Sequence, residues 1–191
     1  MKKLLLSVGL MALVAHAQAS IILFDLLGKG GAGLLAGNEN GAVLGTPGSG
    51  GELPGGISYD DIANLLTINV GWGTGNGFMN LTGPTTGGHL HGPTADGGVA
   101  SFTQNAGVKY GLNALPGWNS SATAGGFNGT IAILAADEAG LLNGQFYFNV
   151  HTAMNGGGEI RGNLVPVPEP SVMVLAALGA GALLLRLRRR Q

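Results

Sequence analysis

Residues 144–164, GQFYFNVHTAMNGGGEIRGNL, constrain the fold more than any other stretch of the chain. Successive side chains on an extended strand leave opposite faces. Phe146, Phe148 and Val150 therefore share one face, and Gln145, Tyr147, Asn149 and His151 share the other. The run Asn155-Gly156-Gly157-Gly158 breaks the strand with residues that tolerate positive φ. A second strand follows, with Ile160 and Leu164 facing one way and Glu159 and Arg161 the other. The expected product is a β-hairpin with one face for a core and a polar face carrying His151, Glu159 and Arg161. An in-strand ion pair is the plain reading of Glu159 and Arg161. The other is that they flank His151 and orient it.

The rest of the chain reads as more of the same kind. There are 37 glycines in 191 residues and few charges. That excludes a coiled coil or helix bundle and favours short strands joined by turns. Leu66, Ile68, Val70 and Trp72 alternate cleanly, so Leu65–Trp72 is a strand with one buried face, paired with Ile57–Asp60 around an Asp-Asp turn. Further strands are expected at 20–27, 88–91, 99–102 and 127–134, and a helical turn at 137–142. Residues 104–126 read as a long crossover connection. The fold class is all-β: an antiparallel Greek-key sandwich or barrel, either immunoglobulin-like or like copper–zinc superoxide dismutase.

The two ends differ from the middle. Residues 1–19 have a Lys2-Lys3 start, an apolar run and a small-residue cleavage site, which predicts a secretory signal peptide. Residues 20–56 form a Gly-rich lead-in, expected to be flexible or loosely packed. Its GKGGAG run lacks the Lys-Ser/Thr ending of a phosphate loop. Residues 57–165 form the β-domain. Residues 166–191 hold a Pro-rich stretch, an apolar segment at about 171–187 and a basic end. That segment is a candidate transmembrane helix at the short limit for a span, with its arginines cytoplasmic. Between the ends stand three basic residues, Lys29, Lys109 and Arg161, against nine acidic ones. An acidic domain without a basic stripe argues against a nucleic-acid partner.

The hairpin resembles the closing motif of the CHRD (chordin-type) domain. The matching residues are Leu141-Leu142-Asn143-Gly144, Tyr147, Asn149-Val150-His151-Thr152 and Gly158-Glu159-Ile160-Arg161-Gly162. A second element of that family, His-x-His-Gly-Pro, stands at His89-Leu90-His91-Gly92-Pro93. The tail, with Pro168, Glu169 and Pro170, resembles the PEP-CTERM sorting signal. That resemblance implies an exosortase as partner, processing near Glu169, and export across the inner membrane of a Gram-negative bacterium. The protein would be anchored in that membrane before processing, then surface-bound or extracellular.

Chemistry has few candidates. His89 and His91 leave the same face of a strand, with Cα atoms about 6.5–7 Å apart. With His151 they can converge on one ion, and three histidines without cysteine suit zinc or copper, not calcium. The simpler reading is a histidine hydrogen-bonding a backbone carbonyl beside the Gly-Pro turn. The spacing resembles copper–zinc superoxide dismutase, but the bridging histidine, zinc loop and disulfide of that family are absent, so its activity does not carry over. Cysteine is absent altogether, and no Ser-His-Asp order, nucleophile or phosphate loop stands out. The expectation is a non-enzymatic structural or binding module of the envelope or extracellular polymer, with polysaccharide or a surface protein as partner. The alternative is a copper or zinc domain on His89, His91 and His151, with redox activity open to it.

Overall fold

A computed structural model describes residues 20–168. The segment expected to be a signal peptide, the apolar tail segment, and Glu169 and Pro170 of the expected sorting motif lie outside the described residues; Pro168 is the last within them. Among the described residues no helix is long and apolar enough to cross a membrane.

Eleven strands lie among the described residues. In chain order they are β1 (Ile21–Gly28), β2 (Gly31–Ala32), β3 (Leu35–Ala36), β4 (Gly50–Asp60), β5 (Leu65–Trp72), β6 (Thr85–His91), β7 (Val108–Gly111), β8 (Trp118–Ser120), β9 (Gly125–Ala132), β10 (Tyr147–Thr152) and β11 (Ile160–Pro166). One helix, α1 (Ala135–Leu142), precedes β10. All belong to one antiparallel sheet in the order β7-β6-β10-β11-β1-β4-β5-β9-β8, with β2 added to β1 and β3 to β11. The all-β, antiparallel expectation therefore holds. The strands build a single curled half-barrel.

Curling puts the two limbs of the sheet face to face. Leu66, Ile68, Val70 and Trp72 of β5 are fully buried, as their alternation predicts. They meet Leu90, Phe148, Val150 and Ile160 from β6, β10 and β11 in one apolar core. Trp72 bridges the limbs, 5.1 Å from the Trp118 ring and 6.5 Å from Phe148 between centroids. Trp118 reaches across so closely that a Cβ on Gly88 of β6 would sit inside its indole. Only glycine lets the limbs close there.

Four local expectations are corrected. Residues 20–56 are not a loose lead-in. β1 lies between β11 and β4 in mid-sheet, Leu34 is fully buried, and β3 pairs with β11. Residues 99–102 form part of a 3₁₀ helix, Gly98–Thr103, rather than a strand. The 104–126 connection contains the two edge strands β7 and β8. And the polar face of the β10–β11 hairpin is not wet: Asn149, Asn163 and Glu159 are fully buried. The 3₁₀ segment packs on that face, since Ser101 takes hydrogen bonds from Arg161 and Asn163.

Candidate metal centre

The register of three strands lays out the buried polar face in rows. His91 of β6 stands opposite Tyr147 of β10, which stands opposite Asn163 of β11. In the next row His89, Asn149 and Arg161 are aligned. His151 follows two residues beyond Asn149, diagonal to His89, just before a bulge in the β6–β10 pairing. Diagonal neighbours on one face lie within reach of long and aromatic side chains.

The three predicted histidines meet. One ring nitrogen from each lies within 4.8 Å of the other two. Ring centroids are 4.7 Å apart for His89 and His151, and 5.6 Å for each of the other pairs. His91 and His151 are buried and His89 half-buried.

Hydrogen bonding assigns the tautomers of all three rings. His91 Nδ1 lies 2.9 Å from the Ala106 carbonyl and 3.0 Å from Glu39 Oε1. Both are acceptors, so the proton is on Nδ1 and the Nε2 lone pair is bare. That Nε2 is buried and has no hydrogen-bond partner. His151 Nδ1 lies 3.0 Å from the Gly156 carbonyl, so its proton is on Nδ1 and its Nε2 is an acceptor. It receives the Nδ1 hydrogen of His89 at 3.0 Å. Carbonyl or carboxylate partners on the far nitrogen are what orient metal-ligating histidines.

His89 and His91 are held neutral, as ligands must be. Burial, then the neighbouring His151 and His91 rings, lowers the His89 pKa to about 4. Burial also lowers that of His91, against the opposing pull of the Ala106 carbonyl and Glu39. The His91–Glu39 contact is therefore a hydrogen bond rather than an ion pair. Metal–nitrogen bonds of about 2.0–2.1 Å place ligand nitrogens roughly 3.3 Å apart in a tetrahedron.

Behind His91 lies a second layer that the sequence did not announce. Tyr147 stacks on His91, 4.9 Å between centroids and 14° from parallel. Its hydroxyl donates to Glu39, and burial and that carboxylate push the Tyr147 pKa up. The Arg161 guanidinium carbon sits 3.5 Å from the Tyr147 ring centroid. Tyr147 could have been found from its parity with His151; Glu39, inside a Gly-rich run, carries no local signal.

Glu159 and Arg161 do not pair. Glu159 turns to the hairpin end and accepts from the Gly48 and Thr82 amides, the Thr82 and Thr152 hydroxyls and Asn155 Nδ2. Arg161 donates to Asn105, the Ser101 carbonyl and Asn163. Two charges two residues apart thus serve separate networks. Glu159 is a structural anchor, and Arg161 acts on the histidines through its stack on Tyr147 and through its charge, which helps lower the His91 pKa.

No curated protein and no solved structure matches the chain. The family model described as the CHRD domain does match, over residues 37–164, which takes in the Glu39 stretch, β6 and the β10–β11 hairpin as far as Leu164. That span is more than half of the chain, and the protein belongs to the CHRD domain family.

Proposed function

We propose that this CHRD domain is a non-enzymatic module of the cell surface or extracellular polymer, built around a copper or zinc ion held by His89, His91 and His151. One observation carries the metal: two imidazoles tied by Nδ1 to backbone carbonyls, which leaves their Nε2 lone pairs as the acceptors in a cluster of three histidines. The N-terminal signal-like segment and the PEP-CTERM-like tail support export, an exosortase partner and transient anchoring in the inner membrane. A metal-free reading also has an observation behind it, since His89 and His151 satisfy one another by a direct hydrogen bond.

Metal analysis of the full chain, purified in detergent, separates the two. One equivalent of copper or zinc per chain, lost in His91→Ala, is the expected result. A metal-free wild type after loading and dialysis, or equal metal in the variant, overturns the metal reading.

A further inference from the structure

The domain contains three cations, and two of them line the same cleft. Lys109 is paired with Asp137 at 2.8 Å. Lys29 and Arg161 form no ion pair among the described residues, and both line a cleft of about 500 Å³. A smaller recess of about 40 Å³ again includes Lys29 and Arg161 in its lining. No acidic residue lines either space. In a domain where acids outnumber bases three to one, this is a local reversal of charge.

Arg161 is the informative member. It is 8% exposed. Its three hydrogen bonds go to uncharged oxygens, and its Nε has no partner. A buried cation without a counter-charge is costly, and removal of that cost favours an incoming anion. Glu39, the carboxylate whose charge acts on Arg161, is occupied by the Tyr147 hydroxyl and His91 Nδ1. The rest of the lining speaks for a sugar. Asn38, Asn105 and Thr103 offer amides and a hydroxyl, and half-buried Phe102 offers an apolar ring. The volume falls in the range of about 300–1,000 Å³ usual for small-ligand sites. Two cations in an otherwise acidic surface match sparse negative charge, not the dense charge of nucleic acid.

We propose that this cleft binds a carboxylate-bearing sugar unit of an acidic polysaccharide, with the carboxylate on Arg161 and Lys29 and the hydroxyls on the Asn38, Thr103 and Asn105 side. This rests on the surface-module reading for the source of the ligand and is independent of the bound metal.

The test is calorimetric titration of the full chain in detergent with oligogalacturonate, its methyl ester and oligoglutamate. Oligogalacturonate binds, and the uncharged ester binds at least about tenfold more weakly, the scale of one lost charge-assisted contact. Lys29→Gln, an exposed change, weakens binding by about three- to tenfold. Ala42→Phe, which fills the cleft from an exposed wall, removes it. Equal binding of the ester, unchanged binding in Ala42→Phe, no binding of oligogalacturonate, or oligoglutamate binding as tightly each overturns the proposal. Free galacturonate is the arm that separates a small acid from a polymer: binding as tight as the oligomer's overturns the polymer as source. Metal content measured on the same samples, before and after chelation, keeps a failed metal site distinguishable from a failed cleft.

Discussion

His89 Nδ1 and His151 Nε2, 62 residues apart in the chain, meet at 3.0 Å across the β6–β10 pair. The contact exists because β10 lies beside β6 in the sheet although β7, β8, β9 and α1 come between them in the sequence. The two strands that carry the histidines are thus brought together by topology, and their register then aligns the rings.

The carboxylate behind His91 should matter to metal affinity without touching the metal. Glu39→Gln leaves the triad in place but removes the charged acceptor from His91 Nδ1 and from the Tyr147 hydroxyl. Loss of such an orienting partner typically costs about 10–100-fold in affinity. Competition with a chromogenic chelator is expected to show that loss, with unchanged stoichiometry at saturating metal. Unchanged affinity would mean that Glu39 serves the fold alone.

Glu159 is expected to be the most costly single polar replacement in the hairpin. It is fully buried and accepts five hydrogen bonds that tie residues 48, 82, 152 and 155 together. Bonds to a charged acceptor contribute about 1.5–3 kcal/mol each when one partner is removed. Glu159→Ala should therefore lose at least about 3 kcal/mol in urea unfolding at pH 7.

The same residue gives the pH dependence its sign. Burial raises the Glu159 pKa, but the bonds from Thr82, Gly48 and Thr152 outweigh it and hold the folded value below the ordinary 4.5. The unfolded chain thus binds the proton first as pH falls. The stabilisation is fully present above about pH 4.5 and is lost as pH drops through the folded value. Urea curves for wild type and Glu159→Gln should differ most near neutral pH and converge in acid. A gap that widens in acid would refute the assignment.

Gly88→Ala should splay the two limbs. The added methyl falls within the Trp118 ring, which packs on Trp72. Overpacking of this kind costs about 1–3 kcal/mol. A lower Tm and red-shifted tryptophan emission are expected together; either without the other would place the strain elsewhere.

Much of this was legible from alternation, and the reasons for the rest are specific. Leu66, Ile68, Val70 and Trp72, and Phe146, Phe148 and Val150, declare their face because a strand repeats every two residues. The same parity put His89, His91 and His151 on the other face, where they meet. What covers that face was not legible. Residues 28–56 have the composition of a loop, yet Leu34 and Leu35 seat in the sheet and carry Glu39 to His91. Val99 to Phe102 is apolar enough for a strand, but Val99 is exposed and only Ser101 of its 3₁₀ turn is buried. Glu159 and Arg161 share parity, which suggested a pair. Parity says nothing about partners from other segments, and those are what separated them.

The first strand of the domain is zipped to the last, Phe24 opposite Pro166, and lies between β11 and β4. Until the final dozen residues of the domain have emerged, β1 has an open flank and the polar row of β10 has no Arg161 or Asn163 beside it. Contacts of such long sequence separation make assembly slow and late. Closure of the sheet between its first and last strands is therefore expected to be a late step of folding, and it is the step that sets Arg161 and Asn163 beside the polar row of β10.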